Sequence, residues 1–271
     1  MKKLLWLLPL LAGCGQNAAE HPAAKQPAPP QPQIAAQVLA VPVKPAIAYT
    51  SGDRATAGPL DTLHVGRGLV LRLVPGSKRD FARAPHMTAY QEESAYLSSE
   101  PDGQVQRNGK ALILTLANGK KLGLANDTYE TRGDENEEKD HRYEFHGTLK
   151  QLPYWQVDSL VYEGATTLLV NKKSGFTTRL WSYSYPIFSP SNQLIAANSQ
   201  GLETGMALNG LQLLAVSDRR ITPLWSRGLQ NWEPYRVHWL DDKTLAIEQR
   251  RFPATASGRE RLSYVRLLLP H

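Results

Sequence analysis

Three side chains able to bind metal or move protons fall close together in His141-x-x-Glu144-x-His146. Imidazole and carboxylate are the groups that ligate zinc or exchange protons near neutral pH. On a strand, side chains alternate between faces, so Glu144 and His146 share one face and His141 takes the other. That arrangement does not close a shell around one ion, and the helical His-Glu-x-x-His order is absent. The run Asp134 to Asp140 (Asp-Glu-Asn-Glu-Glu-Lys-Asp) is the most acidic stretch. It lacks the sixth-position Gly and twelfth-position Glu of a calcium loop, so a solvated loop is expected. No Gly-x-Ser-x-Gly elbow, phosphate-binding loop or dinucleotide fingerprint occurs. Ser, His and Asp are present without a spacing that assigns them roles. No catalytic residue, metal ligand or cofactor is therefore assigned, and a non-enzymatic protein is expected.

Aromatic residues offer a second chemistry, the stacking of rings on sugars or peptides. Tyr154, Trp155, Tyr162, Trp181, Tyr183, Tyr185, Trp225, Trp232, Tyr235 and Trp239 crowd the second half of the chain. Trp181-Ser182-Tyr183-Ser184-Tyr185 alternates, which puts three rings on one strand face. Such a face is a ligand platform if exposed and inter-sheet core if buried. Asn231-Trp232-Glu233-Pro234-Tyr235 has the composition of a connection between structural units, where binding residues concentrate. Trp232, Glu233, Tyr235 and Arg236, with Tyr183 and Tyr185, are the candidate binding residues. Glu203 is a further polar group for the rim.

Cys14 is the only cysteine among 271 residues. Lys2 and Lys3 precede the apolar run Leu4 to Leu11, and Leu11-Ala12-Gly13-Cys14 follows. A positive start, a short apolar run and small residues at the cut describe a secretory signal. The run is too short to span a bilayer. Leu-Ala-Gly-Cys resembles the lipobox of bacterial lipoproteins. The resemblance implies removal of residues 1–13, thioether lipidation of Cys14 and acylation of the new N-terminus. It also implies membrane anchoring in the cell envelope. Gly15 stands where many inner-membrane lipoproteins carry Asp, so the outer membrane is the expected location. No thiol then remains for a disulfide or a thiolate metal site.

The net charge is +6. Four of the 31 basic residues and one of the 25 acidic residues precede residue 50, leaving 27 against 24. This near-balance is a solvated surface rather than a nucleic-acid footprint.

These residues must be positioned by three segments: a signal over 1–13, a lipidated Cys and tether over 14–48, and one domain over 49–271. In the tether, Pro22, Pro27, Pro29, Pro30, Pro32, Pro42 and Pro45 alternate with Ala and Gln. Proline at this density blocks regular hydrogen bonding and favours extended backbone. About thirty such residues at ~3 Å each reach tens of ångströms.

Beyond residue 60 the pattern is strand-like. His64 to Val74 is β-rich and closed by Pro75-Gly76. Ala111 to Leu116 and Lys121 to Leu124 flank Asn118-Gly119, a hairpin signal because both turn residues tolerate positive φ. Glu100-Pro101-Asp102-Gly103 is another turn. No stretch keeps helical periodicity for three turns, and Gln91 to Ser94 is expected to form at most a turn.

The second half repeats itself. Val170 to Trp181 aligns with Leu214 to Trp225 at an offset of 44, and Phe188 to Ala196 aligns with Trp239 to Ile247 at 51. Units near 45 residues with four short strands resemble the propeller repeats of bacterial cell-envelope proteins. Ser191-Asn192 stands where that turn usually reads Asp-Gly. The resemblance implies an all-β fold, a β-propeller with four blades or an incomplete ring. A large antiparallel barrel or sandwich is the alternative. The expected function is a lipid-anchored envelope protein that binds an envelope protein or glycan. The alternatives are an envelope hydrolase acting on glycan or peptide, and a purely structural spacer.

Overall fold

In the computed structural model, the structure describes residues 62–64, 70–82, 84, 91–133, 135–162, 164–181, 185–202, 208–252 and 261–270. Cys14, the tether, Tyr183 and Glu203 lie outside these residues.

The chain is all-β, and its strands follow in order: β1 (Thr62–His64), β2 (Val70–Pro75), β3 (Val105–Asn108), β4 (Ala111–Thr115), β5 (Lys121–Ala125), β6 (His141–Thr148), β7 (Tyr154–Val161), β8 (Gly164–Asn171), β9 (Thr177–Trp181), β10 (Ile187–Phe188), β11 (Leu194–Ser199), β12 (Gly210–Ser217), β13 (Arg220–Gly228), β14 (Glu233–Asp241), β15 (Thr244–Arg251) and β16 (Arg261–Leu268). Two short helices, α1 (Glu93–Ser99) and α2 (Tyr129–Arg132), interrupt them. The β-rich run from His64 to Val74 thus spans the end of β1 and most of β2, and Leu63 pairs with Leu71 across an antiparallel ladder.

Four antiparallel sheets result: β3-β4-β5, β6-β7-β8-β9, β10-β11-β12-β13, and a terminal sheet ordered β1-β2-β16-β15-β14. None closes on itself, so no barrel forms among the described residues. Consecutive sheets bury apolar side chains against each other. Leu112, Leu114, Phe145, Trp155 and Leu168 join the first two. Tyr154, Leu169, Leu180, Ile195, Leu214 and Ile221 join the next pair. Leu211, Trp225, Trp232, Trp239, Ile247 and Val265 join the last. The two middle sheets are therefore buried on both faces. This explains why β7 and β8 carry near-continuous buried residues instead of the alternation of a half-exposed sheet.

The repeat has a structural counterpart. Trp181 lies on the fourth strand of its sheet and Trp225 on the fourth strand of the next, and both are buried. The turns before them differ. Lys172 to Phe176 connect β8 to β9, whereas Asp218 and Arg219, with φ of 48° and 59°, make a two-residue hairpin between β12 and β13. The turns aligned at offset 51 touch directly: the Ser191 backbone N–H donates to Asp242 Oδ1 at 2.8 Å.

The seven-residue α1 corrects the expectation of a mere turn. It packs on β3 and β6, and its Tyr96 and Leu97 rest against the first core cluster. Distant strands hold it, so local periodicity does not announce it.

Candidate functional site

Antiparallel alternation sends every second connection to the same end of a sheet. The ends of β5, β9 and β13, from which the chain passes to the next sheet, share this end with the ends of β7, β11 and β15. Among the described residues, Val161, Tyr162, Tyr185 and Tyr235 stand at this end, and all four are exposed.

The start of β14 is the most elaborate part. Glu233 is 1% exposed. Its Oε1 accepts the Leu202 backbone N–H at 2.7 Å, and its Oε2 accepts Arg250 Nε and Nη2 at 2.9 and 2.6 Å. The Arg250 guanidinium lies 4.8 Å from the Tyr235 ring centre and 4.9 Å from that of Phe252. A cation between two ring faces is attracted by both quadrupoles, and the buried carboxylate balances its charge. A register shift between Pro234 and Arg236 marks a β-bulge that presents Tyr235. Gln200 Nε2 donates to the Tyr235 carbonyl at 2.9 Å, and Asn198 Nδ2 to that of Pro234 at 2.8 Å. Asn209 Nδ2 donates to the carbonyls of Leu229 and Trp232. The backbone leading to and carrying Tyr235 is thus fixed by Asn198 of β11, by Gln200 just past it and by Asn209 just before β12.

Of the residues expected from sequence, Glu233 and Tyr235 come together around Arg250. Trp232 is 5% exposed and packs in the core, so it is not a surface contact. Arg236 lies two rungs beyond the Glu233–Arg250 pair on the β14–β15 ladder, where it donates to the buried Glu248 and stacks 5.1 Å from Phe81. Tyr185 sits on the neighbouring inter-sheet connection and is exposed. Arg250, Phe252 and Gln200 were not expected. Their sequence neighbourhoods carry no motif, and only sheet register brings them to Glu233.

Two histidines of the His141-x-x-Glu144-x-His146 cluster separate, and no group of three metal-binding side chains forms among the described residues. His146 Nε2 lies 3.1 Å from Asp158 Oδ2, and Thr167 Oγ1 donates to Asp158 Oδ1 at 2.7 Å. Burial, the largest single influence, lowers the His146 pKa. The hydrogen bond and charge of Asp158, with the charges of Glu144 and Glu93, outweigh it and raise the pKa overall. His141 Nε2 meets Ser159 Oγ at 2.7 Å. Burial and then the Arg179 charge lower the His141 pKa against the pull of Asp127. A neutral imidazole on a serine hydroxyl is the pairing that activates a nucleophile. Ser159 is 6% exposed, and no carboxylate hydrogen-bonds His141 among the described residues.

The acidic stretch after residue 134 borders an open hollow of about 560 Å³ with Tyr162. Glu135, Glu137 and Glu138 are exposed, as a solvated loop requires.

Comparisons with protein-family models, curated proteins and solved structures find no match.

Proposed function

We propose that this chain is a lipid-anchored protein of the bacterial cell envelope. In this proposal, a propeller-like β unit binds another envelope component, a protein or a glycan, through its aromatic end. The observation that carries it is Leu11-Ala12-Gly13-Cys14 behind Lys2, Lys3 and an apolar run, followed by a proline-rich tether. Three acyl chains, as the lipoprotein resemblance implies, anchor a protein firmly, because each buried methylene contributes ~0.8 kcal/mol. Gly15 favours the outer membrane. Propeller architecture is supported by the succession of antiparallel meanders and by β2, which completes the terminal sheet beside β16. Binding is supported by Tyr162, Tyr185 and Tyr235, exposed at one end of the sheets. Tyr235 is prepositioned by Arg250 and the clamped backbone beneath it, which lowers the ordering cost of contact. The buried Glu233 is occupied by Arg250 and a backbone amide, a structural role rather than a catalytic one. Labelled palmitate should enter the wild-type protein and be absent from Cys14→Ser. Label at the wild-type level in that variant refutes the anchored reading.

A second reading, an envelope hydrolase, is favoured by one observation, the 2.7 Å Ser159–His141 pair. In such a reaction Ser159 Oγ attacks an ester or amide carbonyl while His141 Nε2 takes its proton, which then passes to the leaving group. A fluorophosphonate probe decides: labelling lost in Ser159→Ala supports the hydrolase, and an unlabelled wild-type protein removes it.

A further inference from the structure

We propose that the terminal sheet carries a membrane-docking face that rests on anionic phospholipid headgroups. The sheet alternates in the ordinary way. Leu71 and Leu73 of β2, Val265 and Leu267 of β16, and Val237 and Trp239 of β14 point into the core or pack against it. Arg72 and Arg266, between these residues, and Arg236 and His238, on either side of Val237, project from the other side.

A single 3₁₀ turn, Lys78–Phe81, lies across that side. Asp80 accepts Arg266 Nε and Nη2 at 2.9 and 2.6 Å. The Phe81 ring sits 5.9 Å from Tyr264 and 5.1 Å from the Arg236 guanidinium. This anchoring leaves Lys78 and Arg79 on the outside. Both are exposed, as is Arg72, and none of the three joins an ion pair among the described residues. Arg72, Lys78 and Arg79 therefore stand exposed on the face, and where its arginines are paired with Asp80 and Glu248 the carboxylates are the deeper groups. The Asp80 and Glu248 side chains are 8% and 2% exposed, whereas their partners Arg266 and Arg236 keep 41% and 43%. An approaching surface meets the arginines first. Leu262, exposed, and Tyr264, half-buried, supply the apolar and aromatic groups suited to the headgroup boundary.

The occupant follows from charge and from where the chain enters. β1, the first described strand, is the edge strand beside β2 in this sheet. The segment that leads back to Cys14 therefore joins the molecule at the basic sheet. A tether converts headgroup contact into an intramolecular event at high effective concentration. Clustered Lys and Arg are drawn to an anionic leaflet within a screening length. The membrane as occupant rests on the anchored reading above, but the charged face does not.

The test uses the processed chain, residues 14–271, carrying Cys14→Ser so that no lipid contributes. It should co-float with phosphatidylglycerol vesicles and not with phosphatidylcholine vesicles, and 0.5 M salt, about five times the 0.1 M at which screening is already ~10 Å, should release it. Arg72→Glu with Arg79→Glu should weaken vesicle binding at least tenfold, while the exposed Lys120→Glu leaves it unchanged. Absence of binding by the Cys14→Ser chain, equal binding to both vesicle types, or full binding when Arg72→Glu and Arg79→Glu are added to it overturns the proposal. Equally strong retention on polyglutamate beads reassigns the face to an acidic protein and also overturns it. Palmitate labelling of the wild-type chain is independent of all these outcomes, so failure of the anchor and failure of the face are separately visible.

Discussion

Gly210 and Trp181 show how closely two sheets approach. A Cβ on Gly210 would overlap the Arg227 carbonyl oxygen and come within 2.9 Å of the Trp181 ring. The same tryptophan donates its backbone N–H to Gln212 Oε1 at 2.6 Å. Trp181 is thus a packing wedge between β9 and β12, and Trp225 has the equivalent place on β13 against the terminal sheet. Truncating either to Ala removes a large buried aromatic and should cost about 3–5 kcal/mol. Gly210→Ala should cost about 1–3 kcal/mol through overpacking. In a chain of this size each kcal/mol lowers the melting temperature by roughly 2–4 °C, so the tryptophan variants should melt roughly 10 °C early. An unchanged melting temperature in both would remove the core assignment and return these rings to a binding role. The alternation of Trp181 with Tyr183 and Tyr185 suggested one three-ring face in sequence. Trp181, the last described residue of β9, has a buried ring, Tyr183 lies outside the described residues, and Tyr185 stands exposed before β10.

At the scale of elements, α1 acts as a clamp. Glu93 at its start accepts the Phe145 backbone N–H at 2.8 Å and the Arg107 guanidinium of β3. Glu100, just past its end, accepts Thr148 Oγ1, and also Trp155 Nε1 and Lys172 Nζ, both at 3.4 Å. Phe145 begins a register shift in the β6–β7 ladder, so Glu93 meets an amide beside the bulge, next to His146. The pH dependence of this region has a definite sign. His146 has a raised pKa, so its stabilisation is complete below the ordinary value of 6.5 and is lost as pH rises through the folded value. His141 and His238 are lowered by burial, so their contribution is complete above 6.5 and is lost as pH falls. The difference between wild type and His146→Gln isolates the first term. The stability advantage of wild type should shrink between pH 6 and pH 9 in thermal melts, and an advantage that grows with pH contradicts the assignment. Asn118-Gly119 was legible as a hairpin because its chemistry is local, and Gly119 has φ of 78°. The clamp was not, because Glu93 and Phe145 are 52 residues apart.

The whole molecule was legible in class and in its repeating unit, since strand periodicity and spaced Leu-Trp endings need no tertiary knowledge. Its site was legible in part. Asn231 and Trp232 do link two sheets, but Glu233 to Tyr235, read as part of the same connection, begin strand β14, and Arg250 reaches Glu233 only through the β14–β15 register. The basic face was hidden for the same reason. Near-balance of charge along the chain conceals its segregation onto one sheet, because Arg72 and Arg266 become neighbours only when β2 lies beside β16. That pairing, Leu73 with Leu267, also has a consequence for biosynthesis. A chain synthesised from its N-terminus delivers β1 and β2 first and β16, which completes their sheet, about 190 residues later. A lone two-stranded hairpin is marginal in water, so it waits with an unpaired edge until residues 261–268 emerge. The closing contact is among the longest-range in the molecule, and such contacts form slowly. β16 is therefore the latch of the assembly. A premature stop that removes only this last strand leaves β2 and β15 with bare edges at once, a defect out of proportion to the ten or so residues lost, and it exposes the nascent protein to capture by proteases or by its own copies.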